Sequence, residues 1–444
     1  MRVSMLTPLP PAKTGVAHYA SMLIPALAKR VDLVLNDLSV PDRIYHLGNN
    51  PHHEWIYAEA MKVPGVIVLH DLVLHHLIVE MTLARGDVDG YVAALEANHG
   101  AAGAAWARGR AAGLHSEMGN FLFPASIDVA QRSRAVIVHN RYAAERLRSF
   151  GVTTPIHVVA HPYEPAAPAP PRAPGEERVI GLFGFLTSAK RADVVLEAFA
   201  RARRRRVLRL LVVGEPAPNI DVAAMARDGV TFTGFVADEE FPKYFAAVDC
   251  LVNLRYPSAG ETSGTLIRAM AAGKPVAVSD YAQFAELPDD CVVKIPFDKE
   301  VDALADFFAG ELPDMAAAQR RWLEQNATVD IAAEGYVRAL HGGQALMPVP
   351  PVTPSIPLFP KVTATHHGNE VTLRNTGDIT LKARSYGEPA YRLIAKWPGG
   401  DKWLDLPRDL GPGDEVTIIV PPHSRLYHAL ESIPMLDPEP LDAL

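Results

Sequence analysis

The sequence predicts two successive Rossmann-like, doubly wound α/β domains and a small C-terminal all-β domain. Short apolar runs, typical of strands buried on both faces, alternate with amphipathic helical segments over the first three quarters of the chain. Proline-rich stretches at residues 164–175 and 348–360 interrupt this pattern, and such stretches favour extended connectors. We therefore expect domains at residues 1–165, 176–345 and 361–444.

The elements follow from hydrophobic periodicity. In the first domain, strands are expected at residues 3–6, 31–35, 44–47, 66–69 and 135–138, and helices at 17–29, 53–61, 88–97 and 141–149. In the second, strands are expected at 179–183, 208–213, 230–232, 250–254, 275–279 and 292–295, and helices at 194–201, 239–247, 265–272 and 301–310. The last segment alternates apolar and polar residues at 362–365, 370–373, 390–394 and 415–420, which favours an antiparallel sandwich.

Composition excludes several classes of protein. The 444 residues are 48% hydrophobic and 21% charged, which argues against disorder. The net charge of −8 gives no indication of the positively charged surface that binds nucleic acid. The basic run at residues 201–209 is interpreted as a solvated turn rather than a phosphate or membrane patch. Two cysteines without repeated spacing, no secretory segment and no apolar stretch of ~20 residues predict a cytoplasmic protein. A peripheral contact with the inner face of the membrane stays open.

The most informative stretch is residues 254–276, where a predicted strand leads through a polar loop into a helix. Ser263 is suited to cap that helix, whose first amides would be unpaired donors and offer an anion site for a diphosphate. Glu261 lies just before the helix, where its carboxylate could accept hydrogen bonds from sugar hydroxyls. The alternative is that Glu261 and Ser263 only cap the helix.

This stretch resembles the retaining GT-B glycosyltransferases, in particular glycosyltransferase family 4. Residues 269–275, Ala-Met-Ala-Ala-Gly-Lys-Pro, are similar to the tail of that family's donor motif, and residues 261–264 take the place of its first glutamate and glycine turn. Two features depart from the motif: the interval is one residue short, and Arg268 stands where a second glutamate would hold the ribose. The resemblance implies that Glu261 is catalytic and that the loop and helix start bind the donor through Thr262, Ser263, Gly264, Thr265 and Arg268.

A second loop, at residues 181–191, follows the first strand of the second domain. The family carries an arginine and a lysine here that neutralise the donor diphosphate, and cations so placed stabilise the charge that grows on the leaving group. Lys190 matches the lysine, Phe185 replaces the arginine, and Arg191 is a candidate to compensate. We expect Lys190 to be catalytic, and Gly184 and Arg191 to bind the donor; the alternative for the two cations is a solvated helix entrance.

Residues 64–76 bring two further candidates to the carboxyl end of a buried strand, where cleft residues belong. The resemblance implies that His70 approaches the donor sugar, and Asp71 could orient His70 or touch the acceptor. His75 and His76 lie among leucines without a further set of ligands, so we interpret them as a partly buried polar patch rather than a zinc site.

Other loops are expected to line the same cleft. Gly15 matches a glycine that the family places near the donor phosphates, and Phe235 and Val236 lie in a loop whose backbone meets the nucleotide base. Asn49 and Asn140 each follow a strand of the first domain and are expected on the acceptor side, although turn formation explains them nearly as well.

Together these features predict a hexosyltransferase of polysaccharide biosynthesis. It would take sugar from a nucleotide-diphosphate donor, with retention as the resemblance implies. No metal or other cofactor is expected, because cations aimed at the leaving diphosphate can stabilise its charge without one. The acceptor would be a glycan, a lipid-linked or another small hydroxyl compound, and no nucleic acid partner is expected. The alternatives are an inverting transferase or epimerase on the same fold, or a non-catalytic protein that binds glycans or nucleotide sugars.

Overall fold

The computed structural model describes most of the chain and allows the predicted elements to be compared with the fold. The described residues are 1–12, 14–113, 117–165, 177–218, 220–237, 240–342, 362–376, 381, 391–397, 400–423, 425–430 and 433–434. The second proline-rich stretch and nearly all of the first lie outside them. The domain boundaries placed there therefore remain predictions.

The first lobe is built on a parallel sheet of six strands in the order β2-β1-β3-β4-β5-β6. The strands are β1 (Arg2–Leu6), β2 (Asp32–Leu35), β3 (Arg43–Leu47), β4 (Val66–Leu69), β5 (Ala135–Val138) and β6 (Ile156–Val158). The first five confirm the prediction to within one residue. We did not predict β6, because its three residues include His157 and form no apolar run.

Both faces of this sheet are buried, as the continuous apolar runs indicate. Alternate side chains of β4 separate into two cores: Ile67 and Leu69 pack on one face, and Val66 and Val68 on the other. Successive side chains of a strand point to opposite faces, so a sheet covered by helices on both sides needs apolar residues at every position.

The second lobe repeats the design with a parallel sheet in the order β12-β11-β10-β7-β8-β9. Its strands are β7 (Arg178–Phe183), β8 (Leu208–Val213), β9 (Val230–Phe232), β10 (Cys250–Asn253), β11 (Val276–Ser279) and β12 (Val293–Ile295). All six were predicted, and two separate cores again cover the two faces. Both cysteines are buried and free, in agreement with the absence of a disulfide framework.

Helices connect the strands of each lobe. In the first lobe they are α1 (Gly15–Leu27), α2 (Glu54–Lys62), α3 (His75–Met81), α4 (Val88–Ala111), α5 (Glu117–Leu122), α6 (Ile127–Arg132) and α7 (Arg141–Ser149). Those that follow β7 are α8 (Ala192–Ala202), α9 (Val222–Met225), α10 (Phe241–Ala247), α11 (Gly264–Ala271), α12 (Ala282–Ala285), α13 (Glu300–Ala309), α14 (Ala316–Asn326) and α15 (Val329–Leu340). The predicted helix at 88–97 extends to residue 111 across a kink at Gly100, which has a φ of 63°.

Helix α15 follows the second sheet in sequence but packs in the core of the first lobe. Tyr336 of α15 and Tyr19 of α1 join hydroxyl to hydroxyl at 2.9 Å, and both rings are fully buried. Ala332 and Ala333 of the same helix lie in the core that covers one face of the first sheet. The chain therefore crosses back between the lobes before the C-terminal segment.

The C-terminal segment forms two small antiparallel sheets, ordered β13-β14-β17 and β16-β15-β18-β19. Their strands are β13 (Val362–His367), β14 (Glu370–Asn375), β15 (Tyr391–Trp397), β16 (Gly400–Asp405), β17 (Glu415–Ile419), β18 (Arg425–Leu430) and β19 (Ile433–Pro434). Val371 and Leu373 from one sheet share a core with Leu393 and Leu426 from the other. The all-β prediction is confirmed; β16, β18 and β19 were missed.

The basic run at residues 201–209 lies at the surface between α8 and β8. Arg201 contacts Asp302 at 2.6 Å, and Arg203 contacts Asp228 at the same distance. Exposed pairs of this kind stabilise a fold only slightly, but they balance the local charge. The interpretation of the run as a solvated turn agrees with these contacts.

Candidate functional site

The carboxyl ends of the two sheets meet at one cleft, and the loop at residues 254–263 of the second lobe contacts the first lobe there. Ala259 accepts hydrogen bonds from the backbone N–H groups of Leu72 and Val73, at 2.8 and 3.1 Å. Asn140, in the first lobe, donates through Nδ2 to the carbonyl oxygen of Gly260 at 2.9 Å. The predicted cleft residues of both lobes are thereby brought to one place.

Helix α11 begins at the end of this loop. Ser263 caps it as predicted: its Oγ accepts from the N–H of Leu266 at 3.3 Å and donates to Asn253 Oδ1 at 3.0 Å. A helix leaves its first amide groups without an acceptor inside the helix, and the positive end of its dipole favours an anion. Gly264 and Thr265 are the first residues of α11, so their amides form this end.

Glu261 lies in the same loop and is held by two hydrogen bonds. Its Oε1 accepts from Arg255 Nε at 2.8 Å, and its Oε2 accepts from the N–H of Ala259 at 3.0 Å. The side chain is 22% exposed. An ionised carboxylate has about four acceptor positions. Both oxygens therefore keep capacity for hydroxyl donors of a ligand.

Lys190 is buried beneath the start of α11. Its ammonium group donates to the carbonyl oxygen of Phe183, the last residue of β7. Gly184 follows with a φ of 90°, and a Cβ at that position would lie 3.1 Å from both Lys190 Nζ and Thr265 Oγ1. The predicted donor residues Lys190, Gly184 and Thr265 are therefore neighbours.

The pKa of Lys190 lies well below its ordinary value. Burial is the main cause, the positive charge of Arg255 adds to it, and the carboxylate of Glu261 opposes it. A nearby negative charge favours the charged form of an amine. A bound anion would therefore favour the charged form of Lys190.

Arg255 is a functional candidate that the sequence reasoning missed. Its guanidinium contacts Glu261 and acts electrostatically on Lys190 and Asp71, so it lies among the central charges of the cleft. The available signal was its position: it is a basic residue two places after the end of β10, at the sheet edge where ligands bind.

Arg191 occupies a different environment from Lys190. Its guanidinium is bonded to Glu300 of α13 through Nε at 2.9 Å and Nη2 at 2.6 Å, and both side chains are buried or nearly so. Its backbone has a φ of 52°. The pair ties the start of α8 to α13, and a donor-binding role for Arg191 remains a prediction.

Asp71 faces the cleft from the end of β4. Its Oδ2 accepts from the N–H of Asn49 at 2.8 Å, and Asn49 Oδ1 accepts from the N–H of Leu77 at the start of α3. Burial and the charge of Glu261 raise the pKa of Asp71 to about 7, although the hydrogen bond from Asn49 and the charge of Arg255 oppose the shift. Carboxyl groups from the two lobes are therefore electrostatically coupled.

His70 precedes Asp71 and lies in a group of buried rings that sequence reasoning did not identify. His70 Nδ1 is 3.0 Å from His139 Nε2, and its ring centroid is 4.9 Å from that of His46 and 4.6 Å from that of Tyr19. The partly buried ring of His161 lies beside this group and approaches α11: its Nε2 lies 4.0 Å from where a Cβ on Gly264 would be. Strand ends separated by dozens of residues carry these side chains, so no local pattern reveals the group.

The remaining predicted residues have different surroundings. Gly15 opens α1, and a Cβ there would meet no atom within 4 Å, so the space beside it is open. Phe235 is 54% exposed, whereas Val236 is buried in the core of the second lobe. Arg268 lies over the ring of Phe241, 5.3 Å from its centroid. Burial is the main cause that lowers the pKa of His161, and the charge of Arg268 adds a small contribution.

The adjacent histidines His75 and His76 point into different surroundings. His75 is buried and bonded to the carbonyl oxygen of Phe123 and the hydroxyl of Tyr91, both at 2.5 Å. His76 lies at the surface, 3.6 Å from Glu80. Across the described residues, no three His, Cys, Asp or Glu side chains are grouped as they would be around a metal ion. The described helices also include none with the length and apolar character to cross a bilayer.

Part of the chain matches the sequence model of a known protein family. The family model for glycosyl transferases group 1 matches residues 177–310, which include Lys190, Arg255, Glu261 and α11. No curated protein sequence matches the chain significantly.

Solved structures match over three quarters of the chain. A sucrose-phosphate synthase from Thermosynechococcus elongatus is 16% identical, covers 77% of this chain and 98% of its own, and has a TM-score of 0.52. The chain has the GT-B fold. Weaker similarities to GT-B proteins include HepE of Anabaena in complex with UDP and glucose, at 14% identity, 77% and 100% coverage and a TM-score of 0.46. The lipopolysaccharide outer core galactosyltransferase WaaB follows, at 13% identity, 77% and 99% coverage and a TM-score of 0.47.

Proposed function

We propose that this chain is a glycosyltransferase that binds a nucleotide-diphosphate sugar in the cleft and transfers the sugar to a hydroxyl acceptor with retention. The observation that carries the proposal is the convergence of Lys190, Arg255 and the start of α11 beside Glu261. The match of residues 177–310 to glycosyl transferases group 1 supports the same activity.

The diphosphate would lie against the amides of Gly264 and Thr265. Lys190 and Arg255 would supply positive charge to its leaving oxygen as the glycosidic bond breaks. Buried cations aimed at that charge act in a site of low polarity, where they stabilise it more than they would in water. Such a pair can perform this role without a metal ion. Metal independence is therefore part of the proposal.

The sugar would lie between the lobes. Glu261 would accept hydrogen bonds from its hydroxyls, while its own position is fixed by Arg255 and Ala259. His70 and Asp71 would face the sugar and the incoming acceptor from the first lobe. The acceptor hydroxyl would attack on the face that the diphosphate leaves, and a phosphate oxygen would take its proton. The sugar forms a bond to the acceptor oxygen as its bond to the phosphate oxygen breaks.

The first experiment is a donor screen by thermal shift with UDP-, GDP- and ADP-sugars, followed by a transfer assay with the stabilising donor. Glu261→Ala and Lys190→Ala are expected to reduce transfer by at least about a hundredfold, the loss typical when transition-state stabilisation is removed. Lys274→Ala is the matched control, because Lys274 is also a buried lysine bonded to a backbone carbonyl, Val248 O at 2.8 Å, but follows the other end of α11. Wild-type rates in both cleft variants would contradict the proposal.

The rival functions give different products. A retaining transferase keeps the anomeric configuration of the donor, which NMR of the product determines, whereas an inverting transferase reverses it and an epimerase changes the donor alone. A non-catalytic binding protein would show the thermal shift without transfer or donor hydrolysis. Each of these outcomes would replace the proposed activity.

A further inference from the structure

Four histidine rings lie against Tyr19 at the carboxyl ends of the strands in the first lobe, and those of His46, His70 and His139 are buried. The centroid of the His70 ring lies 4.9 Å from those of His46 and His139, and that of His161 lies 6.0 Å from His139. Among the described residues, these rings do not form a metal-binding group. One chain of hydrogen bonds, however, links His70 through His139 to the backbone carbonyl of Val159.

The direction is set at His139. Its Nδ1 lies 2.9 Å from the carbonyl oxygen of Val159, and a carbonyl oxygen can only accept, so Nδ1 must carry a proton. Burial lowers the pKa of His139 to about 4, so the ring is neutral at physiological pH and carries no second proton. Its Nε2 is therefore an acceptor.

His70 must then be the donor in the bond between the two rings. Its Nδ1 lies 3.0 Å from His139 Nε2 and carries the proton. Burial is the main cause that holds the pKa of His70 well below its usual range, and the neighbouring histidines add to it. His70 Nε2 is therefore unprotonated and can accept a hydrogen bond. That atom is buried, has no hydrogen-bond partner among the described residues, and belongs to a side chain only 9% exposed.

An acceptor buried without a partner costs free energy, and a ligand hydroxyl would satisfy it. We propose that His139 is a positioning residue that holds His70 as its Nδ1–H tautomer, so that His70 Nε2 accepts a hydrogen bond from a hydroxyl of the bound sugar. The part of this inference that concerns the sugar rests on the proposed function. The selectivity that follows is for a hydroxyl over fluorine or an ether oxygen, since only the hydroxyl has a proton to donate.

The test reads the tautomer directly. Protein labelled with ¹⁵N at histidine is examined by long-range ¹H–¹⁵N correlation, in which protonated and unprotonated ring nitrogens differ in chemical shift, and His70→Gln assigns the signal. The wild type is expected to show His70 protonated at Nδ1. A His70 protonated at Nε2 would overturn the proposal, whether or not the protein transfers sugar.

Variants of His139 connect the tautomer to activity. His139→Phe keeps a ring but removes the acceptor, so His70 should move its proton to Nε2, and kcat/KM should fall about ten- to a hundredfold, as expected for a lost hydrogen bond to a ligand. Affinity for the free nucleoside diphosphate should stay unchanged. His139→Gln can donate to Val159 and accept from His70, and should restore both tautomer and rate.

The matched control is His157→Phe. His157 is also a buried histidine of the first lobe, but it lies within β6 and its ring nitrogens bond to no described residue. This variant should leave the His70 tautomer and the rate unchanged. An unchanged tautomer in His139→Phe would refute the positioning role. If the wild type shows His70 protonated at Nδ1 but transfers no sugar, the positioning role of His139 stands and only the proposed function is refuted.

Discussion

Arg255 donates through Nε to Glu261 Oε1 at 2.8 Å, which links the end of β10 to the residues that precede α11. The two side chains are 12% and 22% exposed, so the pair is partly shielded from water. Removing either partner would leave the other charge poorly compensated, and such losses cost more than those of exposed pairs. The contact also places a cation close to Lys190. Phe185, which stands where the resemblance would place an arginine, carries no charge.

Replacement of Arg255 is expected to weaken the binding of a nucleoside diphosphate. Arg255→Gln removes one of two cations near the start of α11, and a hydrogen bond to a charged group contributes about 1.5–3 kcal/mol, or roughly ten- to a hundredfold in Kd. Isothermal titration with UDP, GDP and ADP measures this. The control is Arg203→Gln, which breaks the exposed pair with Asp228 and should bind normally. Equal affinity in both variants would remove Arg255 from the site.

Binding of the diphosphate should take up protons through Lys190. Burial lowers the pKa of Lys190 in the free protein, and an adjacent anion raises it again. Over the pH range in which Lys190 titrates, the complex should therefore hold more protons than the free partners. Titration in buffers of different ionisation enthalpy measures the uptake.

Two lysine variants test the source of that proton. Lys190→Met should abolish the uptake, whereas Lys274→Met should retain it, although burial lowers the pKa of Lys274 as well. Undiminished uptake in Lys190→Met would assign the proton to another group.

Stability should depend on pH through Asp71. Its pKa is about 7 in the folded protein against an ordinary 3.8, so between these values the folded state holds a proton that the unfolded state has lost. The contribution of Asp71 to the free energy of unfolding should therefore fall as pH rises from 4 to 7. The difference between the wild type and Asp71→Asn isolates this contribution from that of the buried histidines, whose lowered pKa values act in the opposite direction. One proton contributes at most about 1.4 kcal/mol for each pH unit crossed, so the whole loss amounts to a few kcal/mol.

Asp71→Asn should lack this slope and become the more stable protein at pH 8, as urea denaturation at pH 5 and pH 8 would show. Asp228→Asn is the control, because the contact with Arg203 lowers the pKa of Asp228 and moves its titration below this window. Parallel pH curves for Asp71→Asn and the wild type would contradict the raised pKa.

Gly184→Ala should damage donor binding beyond its cost in stability. The residue has a φ of 90°, and its Cβ would press on Lys190 Nζ and Thr265 Oγ1 at 3.1 Å. An alanine in this conformation costs about 1–2 kcal/mol through the backbone alone. Gly86→Ala separates the two effects, since Gly86 has a φ of 80° but open space around it. Both variants should lose stability, and only Gly184→Ala should lose nucleotide affinity; equal affinity would exclude the steric effect.

Most of the architecture could be predicted from the amino-acid sequence. Parallel strands covered on both faces need apolar residues at consecutive positions, and this requirement makes β4 and β7 visible as local runs. The cap at Ser263 and the cation at Lys190 could also be predicted, because the residues that identify a loop between a strand and a helix are adjacent in the sequence. Short β6, and the C-terminal strands β16, β18 and β19, have no such run and were missed.

The sequence alone determined the alternation of strands and helices in the paired α/β lobes and the loops that reach the cleft, although it did not predict helices such as α3, α14 and α15. Only the tertiary structure decided which charges and rings meet there: Arg255 with Glu261, Arg191 with Glu300, and His139 with His70. The reason is physical. Secondary structure follows from neighbours along the chain, whereas a hydrogen bond between residues 69 positions apart exists only after β4 and β5 have paired in register.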